Sequence, residues 1–237
     1  MQPVNIALLK MGDLRKYSSP DYDELIISAT GLDRKHFSVY DIPDGNKVSS
    51  HVKPDGIIIS GSSLMVTDKL PWKEPVCEWL QEQIADDIPI LGICFGHHLL
   101  AQVLGGKIGD NPEGIELGTI DIHLNSAGKK DQLLSYFYPK FKAQVSHVQS
   151  VIELPEKCVV LASSAQEPIQ AFRYGHHIWG IQFHPEFDEK LLTEIVLRKA
   201  ENPDLEINVR KTLKKIESTK ASYSLLRKFA GIVKLYN

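Results

Sequence analysis

The sequence predicts an α/β fold: an open sheet with parallel central strands, antiparallel additions, and helices on both faces. Three observations predict it. Short apolar runs alternate with helical patterns through the first hundred residues. Some of those runs are apolar throughout, as strands covered on both faces are. Beyond Gly114 the strand-like runs follow one another across turn residues with no strong helical pattern between them, which predicts antiparallel additions to the same sheet.

The elements follow in order. Val4 to Leu9 reads as the first strand and Tyr22 to Ala29 as a helix carrying Leu25, Ile26 and Ile27. Phe37 to Tyr40 alternates and reads as a second strand; Gly56 to Ser60 is a third, apolar enough to be buried on both faces. Pro71 opens a helix, where proline is tolerated in the first turn, with Trp72, Val76, Trp79, Leu80 and Ile84 as its stripe. Ile88 to Ile93 is a fourth strand with Pro89 near its start. A helix begins near Phe95, with Leu99, Leu100 and Val103. Ile115–Leu124, Ala143–Ser146, Cys158–Ala162, Ile169–Phe172 and His177–Gln182 follow as strands. After Glu189 the pattern is helical again.

The chain has 237 residues, 43% of them hydrophobic and 24% charged, which suits one large domain and leaves no room for a second large one. Its formal net charge of -3 excludes a chain-wide basic footprint for nucleic acid. Three cysteines are too few for a disulfide framework and point to a reducing compartment. No apolar run approaches the roughly 20 residues of a membrane span, and the N-terminal segment lacks a signal-peptide pattern. A cytoplasmic protein is expected. Residues 205 to 237 hold eight Lys or Arg against two Asp or Glu. Ile207, Val209, Leu213 and Ile216, then Leu226, Phe229 and Val233, fit two packed helices with solvated basic faces; a docking surface for an acidic partner is the alternative.

The most informative segment is Gly92-Ile93-Cys94-Phe95-Gly96, between a buried strand and a helix. That is the context of a nucleophile elbow, with Cys in place of Ser. A sharp strand-to-helix turn lifts the side chain at the carboxyl end of the sheet, where open α/β folds bind ligands. Gly92 and Gly96 remove side chains that would crowd the turn. The helix N-terminus favours the anionic sulfur, and the Phe95 N–H is placed to meet an oxyanion. A buried core cysteine beside incidental glycines is the alternative.

A thiolate nucleophile needs a base. His184 ends an apolar strand and precedes Pro185, which keeps its backbone extended. Glu186, two residues on, can face the same way and hold the imidazole in one tautomer. Ile59-Ser60-Gly61-Ser62-Ser63 follows the third strand, and its small residues let backbone N–H groups approach a ligand; a plain turn fits the same loop. His36, His51, His123, His176 and His177 sit in ordinary polar or turn contexts. Cys77 and Cys158 read as structural, and Trp72, Trp79 and Trp179 as core aromatics.

These pieces, in this order, resemble the class I glutamine amidotransferases, a family built on a Cys-His-Glu triad. The resemblance rests on Ile59-Ser60-Gly61-Ser62, Gly92-Ile93-Cys94-Phe95-Gly96-His97, Ser146-His147 followed by Val151 and Leu154-Pro155, and Trp179-Gly180-Ile181-Gln182-Phe183-His184-Pro185-Glu186-Phe187. The chain is similar to free-standing members related to the amidotransferase domain of GMP synthase; plant gamma-glutamyl peptidases belong to the same broad group. The resemblance implies a flavodoxin-like open sheet, an amidotransferase domain at 1–200 and a basic helical extension at 201–237 packed on it. It implies Cys94, His184 and Glu186 as catalytic residues, Gly61 and Phe95 as the oxyanion hole, and Ser62, His98, Ser146, Val148 and Gln149 as substrate-binding residues. A gamma-glutamyl thioester on Cys94 would be the intermediate. Two positions depart from the family: His98 stands where glutamine is usual, and Gln149 where relatives of the GMP synthase type often carry Asp.

Three functions compete. The first is hydrolysis of glutamine's side-chain amide, with ammonia released or passed to a separate synthetase. The second is hydrolysis of gamma-glutamyl peptides such as glutathione conjugates. The third is a non-catalytic regulatory protein on the same scaffold. No cofactor is expected, since no Gly-x-x-x-x-Gly-Lys-Ser/Thr loop is present, and no metal, since His97-His98 and His176-His177 diverge and lack a Cys-x-x-Cys. Neither nucleic acid nor membrane is an expected partner.

Overall fold

The computed structural model describes residues 4–17, 19–48 and 53–236; His51 and the first three residues lie outside them. The elements are β1 (Ile6–Lys10), α1 (Tyr22–Thr30), β2 (Phe37–Asp41), β3 (Gly56–Ile59), α2 (Lys73–Ala85), β4 (Ile90–Ile93), α3 (Phe95–Val103), β5 (Lys107–Asp110), β6 (Glu116–Leu124), β7 (Lys140–His147), β8 (Gln149–Glu153), β9 (Cys158–Ser163), β10 (Ala171–Tyr174), β11 (Ile178–Ile181), α4 (Glu189–Lys199), α5 (Val209–Leu213) and α6 (Lys220–Tyr236).

One sheet of nine strands runs β2-β1-β3-β4-β11-β10-β9-β6-β7. β2, β1, β3, β4 and β11 are mutually parallel. β10, β9, β6 and β7 continue it in antiparallel fashion. The last of the late strands, β11, thus inserts beside β4 as a parallel strand. β5 and β8, neither of them among the strands expected from the sequence, form a separate antiparallel pair.

Period-2 alternation puts the two faces of the sheet into two cores. Ile6, Leu8, Ile58, Leu91, Trp179 and Ile181 pack with α1 and α6 on one face. Ala7, Leu9, Ile57, Ile59 and Ile90 pack with α2 and α3 on the other. α1 starts at Asp21, whose carboxylate accepts from the Tyr22 N–H, and stops at Gly31 in the left-handed conformation at φ 70°. α2 begins after Trp72, so Pro71 lies ahead of the helix and Pro75 occupies its first turn.

The basic C-terminal segment divides differently from expectation. α5 is five residues long and buries none of them. α6 buries Leu225, Leu226, Phe229, Ala230, Ile232 and Val233 in the same core as β1 and Trp179, and leaves Lys220, Arg227 and Lys234 in solvent. Among the described residues, no helix is long and apolar enough to cross a membrane.

Candidate active site

The parallel strands β1, β3, β4 and β11 end on one side of the sheet, and the site forms there, as open α/β sheets require. Cys94 follows β4 directly and caps α3 with φ 50° and ψ -99°. A side chain at positive φ is strained; the elbow holds it through Cys94 N–H donating to the Ile181 carbonyl at 2.8 Å and the Cys94 carbonyl accepting from His98 N–H at 3.1 Å. Both flanking glycines are sterically required. A Cβ on Gly92 would lie 2.4 Å from the Gly96 carbonyl oxygen, and one on Gly96 would lie 2.5 Å from that of Ile59. The Phe95 N–H is the first of α3 and belongs to the four that lack an intrahelical acceptor.

His184 is fixed by four contacts. Its backbone N–H donates to the Gln144 carbonyl on β7 at 2.8 Å. Its Nδ1 meets Glu186 Oε1 at 2.8 Å, and its ring hydrogen-bonds the Cys94 sulfur. Its face lies on Phe187, with centroids 3.9 Å apart and planes 6° from parallel. His184 and Glu186 are each only 2% exposed. Burial disfavours the imidazolium, but the Glu186 carboxylate and the Cys94 sulfur outweigh it and push the His184 pKa up to about 10.

Gly61 sits under the imidazole: a Cβ there would lie 2.6 Å from His184 Cε1 and 3.1 Å from the Tyr22 hydroxyl. Ser60 Oγ ties this loop to the end of β1 by accepting from Met11 N–H at 2.9 Å and donating to the Gly61 carbonyl at 2.9 Å.

The remaining sequence-predicted residues separate into two groups. Ser62 and Ser146 line a cavity with His184 and Phe187. His98, Val148 and Gln149 do not line that cavity. His98 is buried, with Nε2 2.6 Å from Gln182 Oε1, and its ring also hydrogen-bonds the Gln149 backbone. Burial, joined by the nearby His147, lowers its pKa to about 3, so it is neutral. The Gln149 amide donates to Thr67 Oγ1 at 2.8 Å, and the Val148 carbonyl accepts from Asn111 N–H at 2.8 Å.

Sequence reasoning missed several contributors. Glu116 is buried between His147 Nε2 at 2.9 Å, Gln170 Nε2 at 2.6 Å and Ser164 Oγ at 2.5 Å, and His147 in turn holds the Gln149 carbonyl at 2.8 Å. Glu167 is fully buried against Ser150, its pKa raised by burial. Tyr22 and Phe187 stack at 6.2 Å beneath His184. Phe187 and His147 lay inside matching motifs without a role; Glu116, Glu167 and Tyr22 carry no local signal for one. Of the other cysteines, Cys77 and Cys158 are free and half-buried, and burial raises both thiols, Cys158 to about 11. Among the described residues, no group of three or more His, Cys, Asp or Glu is placed to hold a metal.

An elbow cysteine, a carboxylate-held histidine and a glycine loop at the carboxyl end of a parallel sheet define a class. The class-I glutamine amidotransferase family model matches residues 23–200. The chain belongs to this family of enzymes. Gamma-glutamyl peptidase 5 of Arabidopsis thaliana is 33% identical over 183 residues, covering 75% of this chain and 72% of that protein. A glutamine-hydrolyzing GMP synthase subunit of Pyrococcus abyssi is 36% identical over 150 residues, 62% of this chain and 74% of that one. The crystal structure of a glutamine amidotransferase from Thermotoga maritima superposes with a TM-score of 0.80 at 22% identity, over 98% of this chain and 99% of that one. This last likeness is one of fold.

Proposed function

We propose that the chain hydrolyses a gamma-glutamyl amide through a thioester on Cys94. The observation that carries this is the buried His184, hydrogen-bonded on one side to the Cys94 sulfur and on the other to Glu186. With the His184 pKa pushed up to about 10, the imidazole is charged at neutral pH and a thiolate partner is favoured. The sulfur attacks the gamma-carbonyl carbon, and the Phe95 and Gly61 N–H groups take the oxyanion. The carbon–nitrogen bond breaks as imidazolium gives its proton to the departing nitrogen. The now neutral imidazole takes a proton from water, whose oxygen attacks the thioester. The carbon–sulfur bond breaks and releases the glutamate. Glu186 holds the tautomer throughout.

Glutamine is the smallest such substrate, and ammonia would then be released or passed to a separate synthetase; the relative named as a subunit of GMP synthase supports that reading. Gamma-glutamyl peptides are the second reading, supported by the relative named as a gamma-glutamyl peptidase. We assign residues 1–200 to the amidotransferase domain and 201–237 to an extension of it. Free thiols at Cys77 and Cys158 fit work in a reducing cytoplasm. The test is glutamate release from glutamine and from gamma-glutamyl p-nitroanilide, with Cys94→Ala as control. Turnover that survives in the variant overturns the role of Cys94; turnover absent from both proteins overturns the proposal and returns the chain to a regulatory role.

A further inference from the structure

The cavity beside His184 carries two cations that the hydrolytic steps do not use. Lys199, at the end of α4, lines it together with Lys16 from the loop after β1. Among the described residues, neither ammonium has a carboxylate within ion-pair distance. The cavity's one acidic residue, Asp13, is taken by Arg15 at 2.8 Å. The wall itself is built: Arg198 Nη2 donates to the Lys16 carbonyl at 2.5 Å, and its guanidinium lies 5.3 Å over the Tyr17 ring, so α4 and the loop are pinned together.

The position of the cavity tells which part of a substrate it meets. His184 gives its proton to the departing nitrogen, so the leaving group lies on the His184 side of Cys94. The cavity is lined by His184 and Phe187. Of the residues the family resemblance assigns to substrate, Ser62 and Ser146 also line it, and His98, Val148 and Gln149 do not. Burial disfavours the Lys199 charge and Lys16 adds repulsion, while the Cys94 sulfur favours it. An anion in the cavity that both residues line relieves both penalties. Ammonia, the leaving group of glutamine, supplies none.

We propose that Lys199, with Lys16, is a specificity determinant that receives a carboxylate borne by the leaving amine, so that the preferred substrate is a gamma-glutamyl peptide with a free C-terminal carboxylate. This rests on the hydrolase reading above and selects among its substrates. The bond broken is the same gamma-amide, and the proton from His184 goes to the peptide's amine nitrogen in place of ammonia.

The test compares gamma-glutamylglycine and gamma-glutamylcysteinylglycine with their C-terminal amides, and with glutamine and gamma-glutamyl p-nitroanilide as substrates lacking the carboxylate. The free acids should exceed their amides in kcat/KM by about ten-fold or more, the scale of one charge-assisted contact. Lys199→Gln should erase that preference, lowering kcat/KM for the free acids, chiefly through KM, about ten-fold more than for their amides, glutamine and the anilide; Lys199→Arg should keep most of it. Free acids and amides turned over equally by the wild type would overturn the inference while leaving the hydrolase reading standing. So would an equal loss on every substrate in Lys199→Gln. A protein inert toward all of them removes the hydrolase reading and this inference together.

Discussion

The imidazole of His184 rests flat on the ring of Phe187, 3.9 Å between centroids and 6° from parallel, three residues further along the chain. The stack fixes the one rotation that the Glu186 hydrogen bond leaves free. Phe187→Leu keeps the apolar volume and removes the aromatic face. We expect kcat to fall about three-fold to ten-fold, the worth of such a stack, with KM little changed. Steady-state kinetics on gamma-glutamyl p-nitroanilide checks this, and an unchanged kcat removes Phe187 from the positioning of His184.

Glu186→Gln keeps the shape and removes the charge. The wild-type alkaline limb should lie near pH 10, where His184 loses its proton. In the variant that limb should move toward neutral pH, and kcat should fall by about 10²–10⁴-fold, as for loss of a tautomer-holding carboxylate. The stability the raised pKa contributes has a definite sign. It is complete below the ordinary imidazole value of 6.5 and is lost as pH rises toward about 10. A pH–rate profile of the variant that overlays the wild type refutes the assignment.

Gly96→Ala places a Cβ 2.5 Å from the Ile59 carbonyl oxygen, which is backbone and cannot swing aside. We expect about 1–3 kcal/mol of destabilisation, the range for overpacking, read by urea denaturation. We also expect slower alkylation of Cys94 by iodoacetamide, because the elbow must open to accept the methyl group.

His98 is buried neutral with its pKa lowered to about 3, against 6.5 for a free imidazole. Between those values the unfolded chain binds a proton that the folded chain refuses, so stability falls as pH drops from 6.5 toward 3. His98→Gln removes the group that titrates and keeps an amide able to reach Gln182. Its acid unfolding midpoint should shift to lower pH than that of the wild type, and a midpoint that stays put or rises contradicts this role for His98.

The parallel centre and the elbow were legible because each depends on local pattern. Ile57 to Ile59 is apolar on both faces because cores lie on both. Gly92 and Gly96 flank Cys94 because the turn admits nothing larger. His184 and Glu186 were readable as a pair because two residues in extended chain share a side. What escaped depends on contacts far apart in sequence. Nothing near residue 107 announces β5 or its pairing with β8 outside the main sheet. Ile178 to Ile181 reads as a strand, but its parallel place beside β4 comes from a long connection. Pro71 suggested a helix start that Pro75 serves instead. Nothing local marks Lys199 among the chain's 27 Lys and Arg residues. One wall of its cavity is pinned by Arg198, which donates to the carbonyl of Lys16, 182 residues earlier in the chain.

The backbone at residue 94 stands at φ 50°, a conformation glycine adopts freely and cysteine does not. Holding a side chain there costs on the order of 1–3 kcal/mol. Cysteine there carries that strain against the packing of its buried side chain and its contact with His184. Cys94→Ala and Cys94→Gly both lose the contact and the chemistry, but only the glycine relieves the backbone, so Cys94→Gly should melt higher than Cys94→Ala. Reactivity at this turn and durability of the whole molecule therefore pull against each other at a single side chain.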